Sequence, residues 1–262
     1  MKTLLYKALL LIFFLSVWEF AASFSHSIFF PHIFTILEKF FQYPKLLTLH
    51  MMTTASEMGW AIFWSFLLAF PISHFMVRYP FFKTLLDPFF LIFQSVPMFA
   101  LAPLMILCFG WTAKTVIIPT VVMIIFPLSI NLYRGLNATP QSYVELFTVH
   151  HATKWQIFWK LRFPFSIPFL FSGLRISAAI AAAGTIAGEW IGGQSGLGVY
   201  LQQCRFHLEI TGIYAALLCL ILFTLSCYGL VGVIEKIIYK RMRIYEKTPL
   251  HSFAGSYTKG KK

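Results

Sequence analysis

Hydrophobic and polar positions along this chain fall into long blocks rather than into the alternations of a soluble fold. Apolar runs occupy residues 4–23, 54–77, 85–109, 115–135, 168–190 and 212–236. Each has about the 20 residues that an α-helix needs to cross the hydrocarbon of a bilayer. The pattern therefore predicts an all-α polytopic membrane protein with six transmembrane helices. Between the first two runs, residues 24–50 are mixed. There Ile33, Leu37 and Phe40-Phe41 recur at helical spacing, which predicts an amphipathic helix along the outer surface. The expected division is a first span with this outer segment (1–50), a core of five spans (51–236) with a polar loop at 138–165, and a basic tail (237–262).

Individual spans carry features that a plain lipid-facing rod does not need. The first begins after Lys2 and contains Trp18-Glu19. Ala21-Ala22-Ser23 would suit a cleaved signal peptide, but Trp-Glu inside the run and the apolar character of the rest favour a retained span. The third holds Pro88, Pro97 and Pro103 with Gln94 and Ser95 before the middle proline, and the fourth holds Pro119, Pro127 and Asn131. Prolines at this density predict bent helices, and Gln94, Ser95, Pro97 and Asn131 are candidate lining groups of a path. In the fifth span Arg175 either snorkels to the interface or pairs with a carboxylate in the bundle, and snorkelling is the preferred expectation. Glu189 lies about 21 Å from it at helical rise, too far to be its partner along one straight helix. The glycines of the stretch Gly188–Gly198 suit a re-entrant turn, an ordinary outer loop being the plainer reading, and Glu189 joins the candidate path residues.

Composition agrees with the pattern and narrows the chemistry. Hydrophobic residues make up 58% and charged residues 11%, with thirty phenylalanines, and the mean hydropathy is +0.75. The formal charge of +12 does not indicate nucleic acid, because the basic residues are spread over loops and tail. With the N-terminus inside, sixteen of the twenty-one Lys and Arg residues fall in the cytoplasm and Lys39, Lys45, Lys114 and Arg205 fall outside. That is the bias membrane insertion selects, so both termini are expected in the cytoplasm. Four cysteines have no short paired spacing, and His150-His151 point too far apart on a helix to share one metal. No phosphate-binding loop, nucleophile elbow or dinucleotide fingerprint occurs, so neither catalysis nor a cofactor is expected.

The segment Pro140–Pro168 interrupts this scheme. It is polar, carries Lys154, Lys160 and Arg162, and is longer than the roughly 2–8 residues that join helices in bundles. Val144, Phe147 and His151, continued by Trp155, Phe158 and Leu161, repeat at helical spacing. One reading is a pair of amphipathic helices resting on the headgroups. The other is a docking element for a soluble partner.

These residues resemble the cytoplasmic coupling loop of binding-protein-dependent ABC importer permeases. Glu145 matches that loop's acidic position, Ala152 and Trp155 match the sulfonate, taurine and nitrate branch, and Leu161, Phe163 and Pro164 fall on its I-x-L-P. Gly173-Leu174-Arg175 and the Glu189-Trp190…Ser195-Gly196-Leu197-Gly198 order are similar to the same branch, including carriers of the thiamine pyrimidine precursor. Two departures stand out: Leu146-Phe147 replaces an alanine pair, and His151 replaces a glycine whose positive φ makes the turn.

The resemblance implies a type I importer permease of the bacterial inner membrane, non-catalytic itself. It would work with an ABC ATPase subunit, a periplasmic or lipid-anchored solute-binding protein and a second permease copy, most simply a homodimer embedded in membrane lipid. It places the ATPase-coupling set at Glu145, His151, Ala152, Trp155, Leu161 and Pro164. The cargo would be a small solute of the sulfonate, nitrate or thiamine-precursor kind. A secondary transporter working without an ATPase and a membrane scaffold are the other classes.

Overall fold

The computed structural model describes residues 2–24 and 29–242, and these are helical almost throughout, with no strand among them. Four helices are each long and apolar enough to cross a membrane: α3 (Pro44–Arg78), α6 (Ala113–Asn137), α9 (Phe163–Gly192, continuous with the turns before it) and α11 (Ile210–Met242). A shorter apolar helix, α1 (Lys2–Phe24), precedes them, and α2 (Ile33–Gln42) is amphipathic, as the spacing of its apolar residues predicts. The protein is an all-α polytopic membrane protein. The tail expected from 237 lies outside the described residues beyond 242.

The third span differs from expectation. It is two half-helices, α4 (Pro80–Ser95) and α5 (Met98–Phe109), rather than one bent rod. Pro97 has no N–H to continue the ladder, and it forces Val96 into extended backbone (φ −79°, ψ 119°). By contrast Pro71, Pro88, Pro103, Pro119, Pro127 and Pro168 all stay inside helices. The helix α3 also begins at Pro44, before the apolar run does, so the outer segment and the second span share one continuous rod.

Packing centres on α6, which lies between α3 and α9. Along α3 the buried residues Ala61, Ser65, Ala69 and Ser73 repeat every four positions, presenting a small-residue stripe to α6. Water is absent from the hydrocarbon, so close backbone approach and hydrogen bonds must hold the helices. Ser73 Oγ donates to the Ser129 carbonyl at 2.9 Å and Ser65 Oγ to that of Val121 at 3.3 Å. On α9, a Cβ at Gly188 would stand 2.9 Å from Val116 Cα, so only glycine permits that approach to α6. Met58, Ile124, Leu128, Leu132, Ala181 and Ala182 fill the resulting core.

Arg175 does not snorkel. Its guanidinium forms an ion pair with Glu235 on α11 and lies over the Tyr228 ring, 5.4 Å from the centroid. Both partners are more than half-buried, and pairing inside the bundle removes two uncompensated charges from the bilayer. The sixty residues that separate them in sequence hid the pair.

Candidate functional site

The platform is two short helices with a tight turn, then a wide turn into a span. Pro140 caps α7 (Gln141–Val149). The chain then reverses at His151, whose φ of 55° is left-handed. The His151 N–H donates to the Thr148 carbonyl at 2.9 Å and the Ala152 N–H to that of Phe147 at 3.0 Å. This is the Schellman closure that glycine usually makes, so the turn keeps its geometry and histidine takes the strained backbone. Next comes a capping box: the Gln156 N–H donates to Thr153 Oγ1 at 3.2 Å, and the Thr153 N–H to Gln156 Oε1 at 2.8 Å. It starts α8 (Lys154–Ile157), and a five-residue π-turn (Phe158–Arg162) leads into α9 without a break.

Within that sequence the coupling candidates divide. Glu145, His151 and Trp155 (66% exposed) face out, together with Tyr143, Leu146 and Val149. Leu161 is buried, while Ala152 and Pro164 are half-buried. Beneath them Phe158, also buried, stacks under Trp155 and meets the His74 ring edge-on at 4.5 Å and Phe70 at 6.1 Å. Trp159 stacks on Phe70 at 5.9 Å as well, so the platform is fastened to the second half of α3 by aromatic contacts in which Phe158 is the buried member. Sequence spacing marked Phe158 as part of the pattern but gave no sign of this fastening. Between α3 and the platform lies an open cleft of about 520 Å³, lined by His74, Val77, Arg78, Val144, Trp155, Phe158 and Arg162, among others.

At the other end of the bundle, the glycine stretch folds back into the protein. Glu189, 2% exposed, accepts from Thr54 Oγ1 at 2.6 Å and from the Gly198 N–H at 2.5 Å. Thr54 Oγ1 accepts in turn from the Leu197 N–H at 2.8 Å, and His50 Nδ1 accepts from the Gly196 N–H at 3.0 Å. Gly196 has φ 123°, and a Cβ there would run into the Glu189 carboxylate. Glu57, 5% exposed, is buried one turn along α3 from Thr54, and its Oε2 has no hydrogen-bond partner. The turn is followed by α10 (Leu197–Phe206), which packs on α3 and α11 through Leu197, Tyr200, Leu201 and Cys204. Burial pushes both the Tyr200 hydroxyl and the Cys204 thiol up, so each stays neutral near neutral pH.

The candidate path residues do not meet in one place. Ser95 sits at the end of α4, its hydroxyl returned to the Leu91 carbonyl at 2.8 Å, and Pro97 opens α5. Asn131, half-buried on α6, donates to the Pro127 carbonyl at 2.7 Å. Glu189 is sealed behind the glycine turn, and the Gln94 side chain lies outside the described residues. What sequence reasoning missed is the Glu189–Thr54–His50 network. Its members come from two helices far apart in the chain, and the only signal was a glutamate inside an apolar run.

Residues 61–244 match the family of inner membrane components of binding-protein-dependent transport systems. Among characterised and catalogued proteins, a probable ABC transporter permease of Haemophilus influenzae is 32% identical over 87% of this chain and 94% of its own. The formylaminopyrimidine transport permease of Halalkalibacterium halodurans is 36% identical over 53% of this chain and 54% of its own. The riboflavin transport system permease of Chloroflexus aurantiacus is 31% identical over 56% and 55% respectively.

Proposed function

The chain belongs to the inner-membrane component family of binding-protein-dependent transport systems, and from that premise we propose that it is the coupling permease of an ATP-driven importer for a small solute. In this reading a separate ATPase supplies the energy, a solute-binding protein delivers cargo from outside, and two permease copies enclose the path. The observation that carries it is the platform. A water-facing pair of helices shows exposed Leu146, Val149 and Trp155, yet its far side is fixed to α3 and runs into α9. Exposed apolar groups on a rigidly fastened element suit a surface that a partner grips and moves. A motor biases such an equilibrium only through contacts that differ between its two states, and Glu145, His151 and Trp155 are the groups placed to make them. Phe158 and Leu161 then pass the displacement to α3 and α9.

For the path we propose Ser95, Pro97, Asn131 and, with them, Gln94. The break at Val96–Pro97 leaves backbone polar groups without helical partners, and such backbone is tolerated at membrane depth where it lines a cavity. We assign Glu189 to holding the outer turn rather than to touching solute. Cargo of the nitrogen-heterocycle class is the favoured assignment, because two of the relatives above are described as carrying a formylaminopyrimidine and riboflavin. The positive-inside rule supports a cytoplasmic platform and cytoplasmic termini.

The test is reconstitution with the ATPase and binding protein in proteoliposomes. Glu145→Lys is expected to insert normally, to leave basal ATP hydrolysis in place and to lower uptake at least tenfold. Normal uptake by that variant would remove the platform from the mechanism.

A further inference from the structure

The cleft between α3 and the platform has a chemistry that the coupling role does not use. Arg78 at the end of α3, Lys154 at the start of α8 and Arg162 in the π-turn all line it, with His74 beside them, and no carboxylate does. None of the three long cations takes part in a salt bridge among the described residues. Apart from Thr148, the remaining wall is apolar and aromatic, from Val77, Val144, Ile157, Phe158 and Trp155 among others. Tyr79, Tyr143 and Trp159, each at least partly exposed, come from the same segments. Tyrosine and tryptophan concentrate where headgroups meet water, so the cleft opens at headgroup level.

Three unneutralised cations above an apolar wall, at that depth, match one class of ligand: a phosphate that carries acyl chains. We propose that the cleft binds the headgroup of an anionic phospholipid, with Arg78, Lys154 and Arg162 around the phosphate and the chains running along Val77 and Phe158. Arginine forks recognise phosphate by paired N–H donors, and basic pockets at helix ends are the usual seats of anionic lipid. A lipid held there would touch α3, α8 and the π-turn together, adding a second tie between the span and the platform. An acidic segment of a protein partner could also meet these charges, but it would leave the apolar wall unmatched.

The proposal does not need the ATPase, so its failure and that of the importer assignment can be told apart. The full chain is purified in mild detergent and titrated with phosphatidylglycerol, with phosphatidylcholine of the same acyl chains, and with inorganic phosphate, followed by native mass spectrometry. Phosphatidylglycerol is expected to bind at least about tenfold more tightly than phosphatidylcholine, and millimolar phosphate is expected not to displace it. The double variant Arg78→Gln/Arg162→Gln should bring the two lipids level, while Arg78→Lys/Arg162→Lys, a control for folding, should keep most of the preference. Equal binding of both lipids by the unaltered chain would overturn the proposal. So would an unchanged preference in the glutamine variant, full displacement by phosphate, or loss of preference in both variants alike.

Discussion

The two ends of this bundle treat polar groups in opposite ways. At the glycine turn, Glu189, Thr54, His50 and three consecutive backbone N–H groups close on one another, and Glu189 is 2% exposed. At the platform, Glu145, Lys154 and Lys160 face out without ion-pair partners among the described residues, beside a Trp155 that is 66% exposed. One end satisfies itself and the other leaves its chemistry open. A buried network costs a lot when broken and gains nothing from a partner. An exposed set contributes little to the isolated chain and keeps its energy for whatever docks on it. The contrast assigns holding to the glycine turn and exchange to the platform.

Substitutions should therefore separate into those that unfold and those that uncouple. Phe158→Ala removes the buried side chain beneath the platform and should have the largest effect. It opens a cavity under the platform, lowering stability by about 3–4 kcal/mol and cutting substrate-stimulated ATP hydrolysis; thermal unfolding in detergent and an ATPase assay read both. Glu189→Ala comes next, at about 2–3 kcal/mol, because the Thr54 hydroxyl and Gly198 N–H lose their acceptor in a dry interior. If that variant melted with the parent chain, the sealed network would have no structural role. Trp155→Ala should leave the melting temperature within about a degree or two while weakening ATPase association several-fold in a pull-down titration. The smallest expected effect is a gain: His151→Gly relieves left-handed strain and should stabilise the turn by up to about 1 kcal/mol with coupling kept. A clear loss of stability would mean that the imidazole holds the turn by contacts of its own.

The pattern of apolar blocks was enough to place the four long helices α3, α6, α9 and α11, because membrane length is written in consecutive residues. The break at Val96–Pro97 was less legible, since six other prolines sit inside helices and nothing local distinguishes Pro97 from Pro103. Arg175 illustrates a different limit. Its neighbours in sequence suggested an interface, whereas its partner Glu235 lies on another helix and only packing brings the two together. The same holds for Thr54 and Glu189. At the platform, the T-x-x-Q signature of Thr153–Gln156 was available in the sequence as a helix start. The Schellman turn was masked by a histidine where glycine is usual.

The opposition of the two ends is tested most directly by where each can be reached. In a chain with Cys108, Cys204, Cys219 and Cys227 replaced, a single cysteine is placed at His150 on the platform or at Gln194 on the glycine turn, both exposed positions. A membrane-impermeant maleimide added to intact cells should label the Gln194→Cys chain and leave the His150→Cys chain untouched, and inside-out vesicles should reverse the result. Added ATPase subunit should then protect position 150 alone. Labelling of position 150 from outside intact cells, or its indifference to the ATPase, would contradict the account.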